Sequence, residues 1–254
     1  MKRITNLGLL LGLSLASATS AAWGDELKVG GGGAAIADVF GPVKPPFESA
    51  TGTTMILLQS SPKEGLVDLV NGKVDVAVAA VPLESMIAGA EKDGVKVDAS
   101  SLVKTVVGTN RTILLVHPTN KVSKLTKDQV KGIFTGKISN WKEVGGADKD
   151  IIVVWGKGTP GQNAQLTKEM LDGEAVTKDV LETTNYAKVR ETVSATPEGV
   201  GIDPFGLADS TVGAVETDPV MTSPIIAVTI GKPSPKAQKL LDYVAGEGQK
   251  YVKK

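Results

Sequence analysis

The sequence predicts an α/β protein of two lobes, each built on a mainly parallel sheet, joined by two extended crossings. Short apolar segments of extended character alternate with helical segments along most of the chain, the order that lays helices on the faces of a parallel sheet. Strands run into glycine or proline turns that open directly into helices. Two extended segments, Lys104 to Val116 and Pro224 to Ile230, fall where a chain would leave one lobe and come back to it.

Leu27-Lys28-Val29 opens the first strand and runs into Gly30-Gly31-Gly32-Gly33. A helix is expected from Ala34 to about Ser49, with Ile36, Val39 and Phe40 at helical spacing and Pro42, Pro45 and Pro46 bending or splitting it. Thr51-Gly52 turns the chain into a strand from Thr53 to Leu58. Ser60-Ser61-Pro62 precedes a helix from Lys63 to Val70, and Asn71-Gly72 leads to a buried strand from Val74 to Val81. The second half repeats the pattern. Helices are expected at Lys127 to Phe134, Gly161 to Leu171 and Tyr186 to Ala195, with strands at Ile151 to Trp155 and Val200 to Ile202. A terminal helix from Pro235 to Val252 carries Leu240, Leu241, Val244 and Tyr251. Residues 23–110 are read as the first part of lobe 1, 111–223 as lobe 2, and 224–254 as the return to lobe 1.

Residues 1–22 read as a secretory leader. Met1-Lys2-Arg3 is positive, Leu7 to Leu15 is an apolar run too short for a permanent span, and small residues follow up to Ala21-Ala22. The expected location is the periplasm, and with no cysteine at the cleavage site a lipid anchor is not expected. The absence of cysteine also excludes disulfides, thiolate metal sites and a cysteine nucleophile. The 28 basic and 28 acidic residues balance, and removing Lys2 and Arg3 leaves 26 against 28, about −2. No basic excess points to nucleic acid, and no polybasic run points to a membrane surface. His117 is the single histidine, so neither a histidine metal site nor a Ser-His-Asp arrangement is expected; no cofactor, metal or catalytic residue is assigned.

Two loops look built for a ligand, since sheets of this class bind where strand ends turn into helix N-termini. The first is Gly30 to Gly33 with Ala34 and Ala35. Its glycines let a ligand approach the main chain, and the following helix offers unpaired N–H groups and a positive dipole end. An anion or carboxylate is the natural guest; a tight turn without a ligand is the other reading. The second is Gly156-Lys157-Gly158-Thr159-Pro160-Gly161-Gln162-Asn163, which adds an ammonium, a hydroxyl and two amides. Its glycines also fit G-x-G-x-x-G, but Asp172 and Glu174 come too soon for the acid of a dinucleotide site. The candidate ligand contacts are Gly32, Gly33, Ala34, Ala35, Ser60, Ser61, Arg111, Lys157, Gly158, Thr159, Gly161 and Gln162. Ser60 and Ser61 also suit helix capping, as Asn185 does, Arg111 an inter-lobe ion pair, and Arg190 a solvated helix face.

The segment Leu125 to Trp141, with Ile133-Phe134, Gly136-Lys137-Ile138 and the closing tryptophan, resembles the phosphate-binding (PstS-like) proteins of ABC transporters. So do Gly72-Lys73-Val74-Asp75 through Pro82-Leu83, Pro197 to Ile202, Ser223 to Ile226 and Lys239 to Val252. The resemblance covers nearly the whole chain after the leader and implies a type II periplasmic binding fold, hinged by two crossing strands. It implies a monomeric solute-binding protein that serves an ABC permease or a membrane sensor and performs no chemistry. The departures fall at the site. Ala34 and Ala35 stand where the family carries a hydroxyl, and Ala79 and Ala80 where it carries Ser-Asp. Trp155, Lys157 and Thr159 stand about where it carries Arg, Asp and Ser. The expected ligand is therefore a small anion or a carboxylate-bearing polar solute, with phosphate disfavoured. The alternative is a module of the same fold that has lost its ligand and docks an envelope partner.

Overall fold

The computed structural model describes residues 26–253, so the expected leader lies outside the described residues. In lobe 1, β1 (Glu26–Gly32) pairs in parallel with β2 (Thr54–Ser60) and with β3 (Val76–Ala79). All four residues of β3 are buried, as a strand covered on both faces requires. The period of two sorts them. Val76 and Val78 join Leu27, Val29, Phe40 and Phe47 on one face, while Ala77 and Ala79 join Leu66, Leu69 and Met86 on the other.

Two strands carry the chain between the lobes. β4 (Leu102–Val116) and β10 (Met221–Ile230) run antiparallel from Leu102 opposite Ile230 to Thr112 opposite Met221. Beyond that crossing β4 pairs with β8 (Gly199–Pro204) and β9 (Gly213–Asp218), and β6 (Ile152–Gly156) pairs in parallel with β8 and with β7 (Val180–Thr183). The sheet order is β2-β1-β3-β10-β4-β8-β6-β7, a mixed sheet continuous through the hinge, with β5 (Lys124–Thr126) beside β9. In lobe 2 the alternation sends Leu114 and Val116 to one core, with Phe134 and Trp141, and Ile113 and Leu115 to the other, with Val189 and Val193. The Trp141 indole N–H donates to Glu198 O at 3.0 Å, tying the motif after α5 (Lys127–Phe134) to the turn before β8.

The first helix differs from the sequence expectation. The chain is helical without a break through α1 (Gly33–Ala35), a π turn (Ile36–Phe40) and α2 (Gly41–Thr51), with Pro45 and Pro46 inside α2. The prolines do not split it. The π turn loosens the backbone immediately before them, and the Asp38 carbonyl, to which Pro42 has no N–H to donate, accepts from Lys253 N–H at 2.9 Å. The terminal helix is also shorter than expected: α8 (Pro235–Ala245) stops at Gly246, and Glu247–Tyr251 forms a 3₁₀ turn. The helices α3 (Pro62–Val70), α4 (Leu83–Lys92), α6 (Pro160–Glu169) and α7 (Tyr186–Ala195) complete the layers. The sequence reading names no helix at Leu83–Lys92 and no strand at β5, β7 or β9. Among the described residues no helix is long and apolar enough to cross a membrane.

Candidate functional site

Each lobe brings one glycine turn to the seam between them. In lobe 1, β1 ends at Gly31-Gly32. Gly31 has φ +139°, and a Cβ there would lie 2.2 Å from Val78 O, so only glycine lets β1 run this close to β3. In lobe 2, β6 ends at Gly156, and the chain passes through Lys157 and Gly158 into α6. The two helices that begin here lack side-chain caps: neither Gly32 before α1 nor Thr159 before α6 makes such a bond. By contrast, Ser61 caps α3 in a reciprocal box with Glu64, and Asn185 caps α7 by accepting from Lys188 N–H at 3.0 Å. The first-turn amides of α1 and α6 are thus free to meet a ligand.

These turns enclose a small inter-lobe pocket of about 20 Å³, room for about one water molecule. It shares Ser60, Ala80 and Gly161 with a wider open cleft of about 830 Å³, lined also by Lys63, Lys157 and Lys168. Eight of the sequence-predicted contacts line the small pocket: Gly32, Gly33, Ala34, Ser60, Ser61, Gly158, Gly161 and Gln162. The other four lie elsewhere. Ala35 faces the lobe 1 core. Thr159 is fully buried, and its hydroxyl donates to Gly156 O at 2.9 Å. Lys157 lies on the wider cleft and pairs with Glu182 at 2.7 Å. The Arg111 guanidinium stacks 4.0 Å from the Phe205 ring centroid and lies 3.7 Å from Glu216, an ion pair within lobe 2. Trp155, about where the resemblance places an arginine, packs edge-on to Phe134.

Sequence reasoning missed Tyr186, the first residue of α7, whose phenol donates to Gln162 Oε1 beside the pocket. No local pattern announces it. A Cβ on Gly33 would lie 3.0 Å from the Tyr186 ring and 3.0 Å from Gln59 Nε2, so the tyrosine of lobe 2 closes directly over the glycine of lobe 1. Asp38 and Asp203 also influence this region. Burial pushes the Asp38 carboxyl up to about 7 against the opposing pull of Lys253 and the Gly206 amide. Burial likewise pushes Asp203 up to about 8; Arg190 opposes this, while Asp38 and Asp209 add to it. Arg190 is therefore not the solvated residue the sequence implies: it lies 3.7 Å from Asp203 and donates to Leu207 O. Burial, then Asp203 and Asp38, push the Tyr186 phenol up as well, so it remains a donor.

The pocket offers main-chain amides, hydroxyls, a carboxamide and a phenol, and no charged side chain lines it. That set could hold a ligand by hydrogen bonds and dipoles; among the residues lining the pocket no nucleophile is paired with a base. Among the described residues no group of three or more His, Asp or Glu side chains converges to hold a metal ion.

A family model described as a PBP superfamily domain matches residues 16–247. The phosphate-binding protein PstS of Bacillus subtilis is 33% identical over 171 residues, 62% of this chain and 56% of that protein, so the chain aligns with little more than half of that relative's length. Among solved structures, a phosphate ABC transporter substrate-binding protein of Clostridium perfringens with bound phosphate superposes with a TM-score of 0.73 at 23% identity, covering 90% of this chain and 96% of that one. An ABC-type phosphate transport receptor of Vibrio cholerae gives 0.65 at 19% identity, covering 89% and 96%. The two-lobed fold, its hinge strands and the family match over residues 16–247 together show that this chain belongs to the PBP superfamily, with similarity to PstS.

Proposed function

We propose that this protein captures a small anion or carboxylate-bearing polar solute between its lobes, in the periplasm, and presents it to an ABC permease or a membrane sensor. The observation that carries this reading is the convergence of two uncapped helix N-termini, from opposite lobes, on one pocket. Phosphate is disfavoured. Ala80 lines the pocket where the resemblance expects a carboxylate, and no arginine joins it. A buried acceptor missing from such a site costs about 1–3 kcal/mol.

The test is thermal unfolding of ligand-stripped protein against phosphate, sulfate, nitrate, molybdate, mono- and dicarboxylates and amino acids. A solute at about a hundred times its Kd adds roughly 2.7 kcal/mol of stability. We expect a shift with at least one anion or carboxylate. A shift with phosphate alone would overturn the reading of Ala34, Ala79 and Ala80. No shift with any solute would favour the second reading, a docking module for an envelope partner. The specific observation behind that second reading is the Tyr186–Gln162 hydrogen bond beside a pocket no larger than a water molecule.

A further inference from the structure

We propose that Tyr186 is a ligand contact of this pocket, presenting a neutral phenol to one oxygen of a small, singly charged oxyanion or carboxylate that is admitted between Gly33 and Gly161 as the lobes part. This inference rests on the solute-binding reading and narrows it to a charge class and a residue.

Tyr186 and Gln162 face each other at the pocket, both on lobe 2, and the tyrosine ring lies against Gly33 of lobe 1. Gln162 is 3% exposed, and among the described residues its Nε2 donates to no protein acceptor while its Oε1 accepts from Tyr186. The amide nitrogen is not sealed in the core but lies on a residue lining the pocket, where one more acceptor can meet it. A ligand oxygen supplies it.

Charge decides the class. At the pocket itself the positive potential comes from the two helix starts at Gly33 and Pro160, each equivalent to roughly half an elementary charge, so together about one, while Lys63, Lys157 and Lys168 stand farther out on the adjoining solvent-screened cleft. The buried carboxyls of Asp38 and Asp203 lie near enough to Tyr186 to influence its ionisation, and their charge, where present, opposes an anion. A monoanion is matched by this arrangement. A dianion would leave its second charge desolvated without a partner. The phenol suits the same guest, because it donates to an oxygen without adding charge.

The experiment is isothermal titration of the ligand-stripped protein at one fixed pH and ionic strength with nitrate, formate, methanesulfonate and sulfate. Tyr186→Phe is titrated in parallel, with circular dichroism and unfolding temperature as controls. We expect a monoanion to bind roughly a hundred-fold more tightly than sulfate. Tyr186→Phe should weaken that monoanion about ten-fold through the lost hydrogen bond. Sulfate binding as tightly as the monoanions overturns the charge class. An unchanged affinity in Tyr186→Phe overturns the role of the phenol while leaving solute binding intact. If the wild type binds none of the four and the broader panel above also fails, solute binding itself falls, and this inference with it; a hit only outside these four overturns the inference alone. Should Tyr186→Phe fail to fold, Gln162→Glu carries the same test: the added carboxylate should abolish monoanion binding, and retained binding overturns the proposal.

Discussion

Asp38 of lobe 1 and Asp203 of lobe 2 are buried within reach of each other's charge, 2% and 0% exposed, and Asp38 Oδ1 and both Asp203 oxygens lack hydrogen-bond partners. Arg190 approaches Asp203 only to 3.7 Å, and Asp209 lies on its far side, 4.0 Å from the same guanidinium. Lys253 is the cation whose charge acts on Asp38. Two acids from opposite lobes thus share a buried seam close enough to act on Tyr186, with too little positive charge to hold both ionised.

The consequence is a stability that falls as pH rises. Both carboxyls have folded values, about 7 and about 8, above the ordinary 3.8 of the unfolded chain. The folded protein therefore keeps protons that the unfolded chain releases. The contribution is complete below about pH 4 and is lost as pH rises through about 7 and 8, at about 1.4 kcal/mol per pH unit for each group. Asp172, Glu174 and Glu198 are shifted the other way by their lysine partners, so their contributions are lost only as pH falls below the ordinary carboxylate range. The unfolding temperature should fall between about pH 4 and pH 8, and Asp38→Asn with Asp203→Asn should flatten the profile. A flat wild-type profile would show that the two acids ionise at no cost.

At the hinge, Asn110 should be a stability hot point. It is fully buried, and its amide donates to Thr112 Oγ1 and to Ser223 Oγ, both at 3.2 Å. Ser223 donates on to Ala80 O at 2.8 Å, and Thr112 to Gln165 Oε1 at 2.8 Å. The crossing strands are thereby tied to a pocket residue of lobe 1 and to α6 of lobe 2. Asn110→Ala removes both bonds and should cost about 1–3 kcal/mol. Urea unfolding would show this as a lower midpoint at an unchanged slope.

How much of this was legible follows from where the information lies. Helices α5 and α7 were readable to the residue because their caps are written locally: Thr126 with Gln129 box the first, and Asn185 caps the second. Both glycine turns were readable because a strand running through glycine into a helix is a local pattern. β5, β7 and β9 were not, since the first has only three residues, the second is a four-residue edge strand, and the third alternates buried with exposed positions over only six residues. The roles of Tyr186 and Arg190 depend on which strand lies beside α7, and nothing near them in the chain encodes that. Asp38 left a trace, an acid inside the apolar run from Ile36 to Phe40, but its counterpart Asp203 is far away in sequence.

Lys157 should matter less than its place in the glycine loop implies. From sequence alone its removal should weaken an anion strongly. In the fold its side chain is 66% exposed and engaged with Glu182, a surface pair of the kind that contributes about 0–1 kcal/mol. Lys157→Ala should weaken an anionic ligand only about two- to five-fold at low ionic strength, and the difference should vanish in high salt. Titrations at two salt concentrations decide this. A large, salt-independent loss would mean that Lys157 leaves Glu182 and reaches the ligand directly.

Gly161 offers the most direct control over closure. A Cβ at this position would meet Val81 Cγ1 of lobe 1 at 3.3 Å, so a longer side chain would be driven into the opposite wall of the pocket. Within its own lobe the same residue sits in the first turn of α6, where leucine is a better helix former than glycine by roughly 0.5–1 kcal/mol. Gly161→Leu should therefore leave the apo protein as stable as the wild type, or slightly more so, while wedging the lobes apart. Small-angle scattering should show a larger radius of gyration, and affinity for any bound solute should fall at least about ten-fold. Loss of affinity together with loss of stability would point to misfolding of α6. Unchanged affinity at an unchanged radius would mean that the seam between Gly161 and Val81 is not where the lobes meet around the ligand.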